Sequence, residues 1–133
     1  MLFYKETSLR TRYGETDRMG YVYYGNYAQY YEVARVELMR AMGVSYAELE
    51  DSGIMMPVLD MQIKYIRPAY YDDELRITCE VKEKPSSRML FEYQVFNSKN
   101  ELINKGSTTL VFVNKETGKP MRCPQEIADK FNS

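Results

Sequence analysis

The hydrophobic pattern of these 133 residues predicts a single α+β domain, an antiparallel sheet of about five strands wrapped on one long helix. Three observations carry this. One amphipathic stretch of helical period begins near residue 26. From Leu59 to Val113 the chain alternates apolar and polar residues at period two. Short turns rich in Pro, Ser, Asn and Asp separate the strands of that second half. Clean alternation means one buried sheet face, short turns demand antiparallel neighbours, and the lone long helix must cover the buried face. A chain of this length buries about two-thirds of its unfolded surface, enough for one core without metal or disulfide staples.

The first strand is read from Phe3 to Tyr13, a run rich in Thr, Tyr and Arg. The loop GETDRMGYVYYG follows, with Gly14, Gly20 and Gly25. Tyr27, Tyr30, Tyr31, Ala34, Leu38, Ala41 and Met42 then form one apolar stripe, with Gln29, Glu32, Arg35 and Arg40 off it. Asn26 is the expected N-cap, with Gln29 as its capping-box partner, and Gly43 the left-handed stop of a helix of about 16 residues. Ser45 and Glu48 open a short second helix that Gly53 ends. Strands are expected over Leu59–Tyr65, Leu75–Val81, Met89–Val95 and Leu102–Val113, with turns at Pro68 to Asp73, Pro85-Ser86-Ser87 and Asn97–Asn100. After Thr117-Gly118-Lys119-Pro120, Pro124 starts a short helix from Gln125 to Phe131.

Composition excludes several functions. The chain contains no histidine, which removes His-dependent triads, Cys–His pairs and His-ligated metals. A net charge of −1 provides no positive field for nucleic acid or an anionic membrane. No apolar run approaches the roughly 18 residues of a membrane span, and the start MLFYKETSLR does not resemble a secretory leader. A cytoplasmic, reduced setting is therefore expected, with Cys79 and Cys123 as free thiols and Cys79 a buried small hydrophobe. The 13 tyrosines suit ligand clefts and interfaces, and equally half-buried strands. The pair Asp72-Asp73 reads as a turn, and no metal or cofactor site is expected.

The stretch RYGETDRMGYVYYGNYAQYYEVAR carries Tyr13, Gly14, Glu15, Asp17, Gly20, Val22, Tyr23, Tyr24, Asn26 and Tyr27 in an order that resembles the 4-hydroxybenzoyl-CoA thioesterase family of hot-dog proteins. IKYIRPAYYDDEL, from Ile63 to Leu75, and the later TGKP are similar to further family stretches, so the resemblance spans nearly the whole chain. It implies a hot-dog fold and hydrolysis of an acyl-CoA thioester, with Asp17 in the catalytic position. It also implies a homodimer or homotetramer with the active site at the subunit interface. Related acyl-CoA thioesterases carry a histidine where Tyr24 stands here.

Local chemistry alone reads Asp17, in its glycine-rich loop, as a turn cap; the resemblance makes it base or nucleophile. The backbone of Tyr24, Gly25 and Asn26, at the start of the long helix, is the expected carbonyl-polarising site, because the first helical N–H groups lack intrahelical partners and carry partial positive charge. Gly25 would allow close approach of a substrate. Tyr24 either lines the pocket or packs beside it, and Glu15 is read as a structural or solvated acid. Coenzyme A carries phosphates, so Lys64, Arg67 and Arg88 are candidate contacts, set against the plain reading of solvated surface charge. Two further functions fit the same fold: a thioesterase acting on acyl carrier protein, and an acyl-CoA-binding protein without turnover.

Overall fold

Helix α1 (Asn26–Ala41) forms where the apolar stripe predicts it, and Tyr27, Tyr30, Tyr31, Ala34 and Leu38 are buried. The computed structural model describes residues 3–131. Strand β1 (Phe3–Arg10) precedes a 3₁₀ turn at Tyr13–Glu15. After α1 come α2 (Tyr46–Asp51), β2 (Ile54–Met55), β3 (Val58–Tyr65), β4 (Glu74–Val81), β5 (Arg88–Phe96), β6 (Leu102–Asn114), β7 (Pro120–Met121) and α3 (Gln125–Ala128). Gly43 and Gly53 end α1 and α2 at φ of +85° and +92°, the left-handed conformation that glycine adopts at least cost.

All strand pairs are antiparallel, in the order β1-β4-β5-β6, with β3 on the far side of β6. The short β2 and β7 extend the end of β6. This corrects one expectation. Strands β3 and β4 are consecutive yet not neighbours, because residues 66–73 do not make a hairpin. That segment crosses to dock on the loop before α1, where Val22 N–H donates to the Ala69 carbonyl at 2.7 Å and Thr11 Oγ1 to the Tyr70 carbonyl at 2.6 Å. Strand β3 is thereby left at the sheet edge. Its alternating pattern does not bury a face: Leu59 is 48% exposed, Met61 41% and Tyr65 51%.

On β4 and β5 the alternation behaves as expected. Leu75, Ile77, Cys79 and Val81, with Met89, Phe91, Tyr93 and Val95, point at α1 and are buried. The helix is polar beneath its apolar stripe. Tyr31 stacks on Tyr93 with centroids 4.1 Å apart and planes 6° from parallel, and its hydroxyl donates to Asn104 Oδ1 at 2.7 Å. Arg35, read from sequence as lying off the stripe, is buried and donates to the Tyr93 hydroxyl at 3.1 Å; that hydroxyl also bonds Thr108 Oγ1 at 2.6 Å. A helix face that accepts a tyrosine lattice has room for the long arginine stem beside it. Burial drives the Tyr31 and Tyr93 phenols well above their ordinary range, so both remain neutral donors.

This stacking requires Gly106 on β6. A Cβ there would stand 2.3 Å from the Gln62 carbonyl oxygen and 2.8 Å from the Tyr31 hydroxyl. The backbone of β3 cannot yield without breaking its ladder to β6. Gly106→Ala is therefore expected to destabilise the fold by about 2–3 kcal/mol through overpacking, read as a lower midpoint in urea unfolding.

Candidate active site

The loop between β1 and α1 is pinned by its own polar groups. Asp17 N–H donates to the Tyr21 carbonyl at 2.7 Å, and Gly20, at φ +83°, returns its N–H to the Asp17 carbonyl at 3.0 Å. Asp17 Oδ1 accepts the backbone N–H groups of Met19 and Tyr21 at 2.9 and 3.1 Å. The turn-capping role that local chemistry predicts is thus real, and it occupies one carboxylate oxygen. Among the described residues Oδ2 has no hydrogen-bond donor, so the same side chain is held by one oxygen and open at the other.

Asp17 lines a pocket of about 310 Å³ with Met19, Tyr21, Val22, Tyr24, Tyr27, Tyr65, Ile66, Arg67 and Pro68. Its walls are mostly aromatic and aliphatic, the usual lining of a ligand cleft with few polar groups. Tyr27 and Tyr65 rings meet at 5.8 Å, and Tyr65 Oη donates to the Tyr24 carbonyl at 3.4 Å. Burial pushes the Tyr27 phenol up to about 12, so it stays neutral, against the Ala69 backbone and the Asn104 side chain. The first turn of α1 closes one side. A larger hollow, about 580 Å³, lies on the opposite face of the sheet among Lys64, Lys82, Lys105, Glu80 and Glu92. Volume does not mark the site here. The loop carboxylate and the helix start converge on the smaller pocket.

The helix begins differently from the sequence expectation. Asn26 is its first residue, and Gly25 stands at the N-cap with φ −67° and ψ −19°. The Asn26 side chain does not cap; its Nδ2 donates to the Glu15 carbonyl at 2.7 Å, tying the helix to the loop. The Asn26 and Tyr27 amides are taken by the Tyr23 and Tyr24 carbonyls at 2.9 and 3.3 Å. The amides of Tyr24 and Gly25 find no backbone acceptor among the described residues. The space above the Gly25 Cα is filled by the Tyr23 ring, 2.7 Å from where a Cβ would lie. Glycine there accommodates Tyr23 in this conformation.

The three candidate cations stand apart. Arg67 lines the pocket; among the described residues its guanidinium makes one exposed contact, with Glu101 at 3.8 Å. Lys64 points to the other face of the sheet, opposite Lys105 in the β3–β6 ladder. Arg88 is exposed at the start of β5, opposite Val111, and is not among the residues that line the pocket. The pocket walls Met19, Tyr21, Tyr65, Ile66 and Pro68 were not singled out as site residues from sequence. The usable signal is the IKYIRPAYY stretch, which is similar to a family stretch; that it meets the Asp17 loop is visible only in the fold.

Residues 11–131 match the thioesterase-like superfamily. The chain belongs to this family. It is 31% identical over 121 residues to the putative acyl-CoA thioesterase YneP of Bacillus subtilis, covering 91% of this chain and 88% of that protein. It is also 31% identical over 123 residues to the acyl-CoA thioester hydrolase YbgC of Escherichia coli, covering 92% of each. Among solved structures, the DHNA-CoA thioesterase of Staphylococcus aureus superposes with a TM-score of 0.87 at 39% identity, covering 90% of this chain and 80% of that one. With the family comes the hot-dog fold: in this thioesterase α1 is the helix around which the sheet wraps. No described helix is long and apolar enough to cross a membrane.

Proposed function

We propose that this thioesterase hydrolyses an acyl- or aroyl-CoA to the free acid and coenzyme A, with Asp17 carrying the chemical step. The observation that carries the reading is the convergence of a loop carboxylate with one open oxygen and the N-terminus of α1 on one apolar pocket. A thiol pKa near 8.5 makes the coenzyme A thiolate a fair leaving group, so no strong general acid is needed in a chain without histidine. Asp17 Oδ2 either takes the proton of the attacking water or attacks the thioester carbonyl itself, giving an anhydride that water then opens. The carbonyl oxygen, as it gains negative charge, is received by the amides of Tyr24 and Gly25 at the positive end of α1. Asn26 contributes by anchoring this turn to the loop.

Arg67 is the cation we assign to the coenzyme A phosphates, since it alone of the three candidates borders the pocket. Its exposed contact with Glu101 contributes little and leaves the guanidinium free to turn to a phosphate. The working unit in this reading is a homo-oligomer in the cytoplasm. Edge strand β3 presents Leu59, Met61 and Tyr65 to solvent, and the pocket is bounded by Tyr65 and Ile66 at the end of that edge. An unpaired, apolar edge of this kind invites a second copy, which would cover the pocket's open side.

Asp17→Asn keeps the size of the side chain and its Oδ1 acceptor. Its kcat for acyl-CoA, followed by free thiol release, is expected to fall by roughly 10²-fold or more with a modest change in KM; near-normal kcat in folded protein would remove Asp17 from the mechanism. Arg67→Ala is expected to raise KM for acyl-CoA several-fold and to spare a short thioester lacking the nucleotide; equal effects on both would contradict the assignment. Light scattering at micromolar concentration is expected to give at least twice the monomer mass, and a monomer would refute the shared site.

A further inference from the structure

The mechanism needs Asp17 and the Tyr24–Gly25 amides at a fixed separation; the Asp17–Tyr21 bonds and the Thr16–Val22 bridge tie the loop to itself, and the loop must also be tied to the body of α1. We infer that Glu15, through Tyr30, is the positioning residue that sets this separation. The inference rests on the reading of Asp17 and the helix start given above.

Glu15 is only 8% exposed and is tied at both its side chain and its backbone. Its Oε1 accepts the Tyr30 hydroxyl at 2.8 Å and the Arg12 N–H at 2.8 Å, and its Oε2 accepts Arg12 Nε and Nη2 at 3.1 and 2.9 Å. Its carbonyl oxygen accepts Tyr23 N–H at 2.8 Å and Asn26 Nδ2 at 2.7 Å. Those two donors bracket the Tyr24–Gly25 pair. Tyr30 is 3% exposed and lies one turn into α1. One residue thus grips the body of the helix with its carboxylate and the turn before the helix with its carbonyl. It also stands two positions ahead of Asp17 on a segment bridged by Thr16 and Val22.

The charge state suits the task. Burial alone would push the Glu15 carboxyl up; the donors from the Arg12 backbone, Tyr30 and the Arg12 guanidinium outweigh it and hold the group below its usual range. Burial and the Glu15 charge raise the Tyr30 phenol, so its proton stays on the oxygen that donates. The Arg12 guanidinium is 79% exposed and adds little, which leaves the Tyr30 bond as the buried arm. Both Glu15 oxygens are occupied, so the group touches no substrate and acts through geometry. A misplacement of about 1 Å in such an arrangement costs on the order of 10²-fold in rate.

The test compares Tyr30→Phe, Glu15→Gln and the double variant with Asp17→Asn. Each is assayed on the most active member of a panel of acyl- and aroyl-CoA thioesters, at a temperature where circular dichroism shows it folded. Tyr30→Phe is expected to lower kcat by about 10-fold with KM within about twofold, since ground-state binding walls are untouched. The double variant is expected to lie within about twofold of the worse single variant, because the charge-assisted bond that Glu15→Gln weakens is the one that Tyr30→Phe deletes. Wild-type kcat in Tyr30→Phe with only a lower melting temperature would make the contact merely structural and overturn the inference. So would kcat losses that simply multiply in the double variant. If Glu15→Gln does not fold, Tyr30→Phe decides alone, because it removes a single oxygen. Wild-type kcat in Asp17→Asn would instead overturn the site reading, a failure distinct from an active Tyr30→Phe beside an inactive Asp17→Asn.

Discussion

Burying a helix face made of tyrosine is the constraint on which the rest of this structure depends. A phenol brings a large apolar ring into the core together with a hydroxyl that costs free energy unless it finds a partner. Tyr31 meets this demand through Asn104 on β6, and Tyr93 through Thr108 and Arg35. The Tyr31–Asn104 and Arg35–Tyr93 bonds set the helix against the sheet, and the Tyr93–Thr108 bond sets β5 against β6. A one-residue slip of β6 would turn Asn104 and Thr108 away from α1 and strand those hydroxyls. Gly106, between them on the same strand face, allows Tyr31 to lie close against the sheet. Packing and hydrogen bonding here select the same alignment. Apolar burial alone would tolerate several.

The site grows out of the end of that helix. Two stretches distant in sequence meet there: the loop that runs into the first turn of α1, and the end of β3 with residues 66–70. Neither could be placed without the other. The crossing of residues 66–73 supplies the Ala69 carbonyl to Val22 and the Tyr70 carbonyl to Thr11, and so sets the outer wall of the pocket. The same crossing keeps β4 from pairing with β3 and leaves β3 at the edge. One topological choice thus accounts for both the pocket and the exposed apolar strand beside it.

Polarity inside the protein serves different ends at its two sites. Around Tyr93 the polar groups face the core, and among the described residues the buried Arg35 has no carboxylate partner and an unpaired Nε. Such a charge is expensive and is weak evidence for stability. Around Glu15 the carboxylate accepts from Arg12 and Tyr30 at both oxygens, and the network joins the loop to α1. The contrast separates a polar group carried within a core from one that fastens a working geometry.

The sequence by itself determined the element order, the long helix and its buried tyrosines, the buried Cys79, the glycine stops of both helices and the loop acid at Asp17. These depend on local periodicity and on residue chemistry within a few positions, which a linear reading sees directly. The tertiary structure alone decided that β3 pairs with β6, that Arg35 turns inward, and that Asn26 reaches back to Glu15 in place of capping its own helix. It also decided which of Lys64, Arg67 and Arg88 borders the pocket. Alternation tells which residues share a strand face, but not whether anything covers that face, so β3 read as half-buried and proved exposed. A charged side chain near a turn looks the same from sequence whether it meets a pocket, the far side of the sheet or open water. Only the path of the intervening backbone, set by contacts between residues far apart in the chain, makes that distinction.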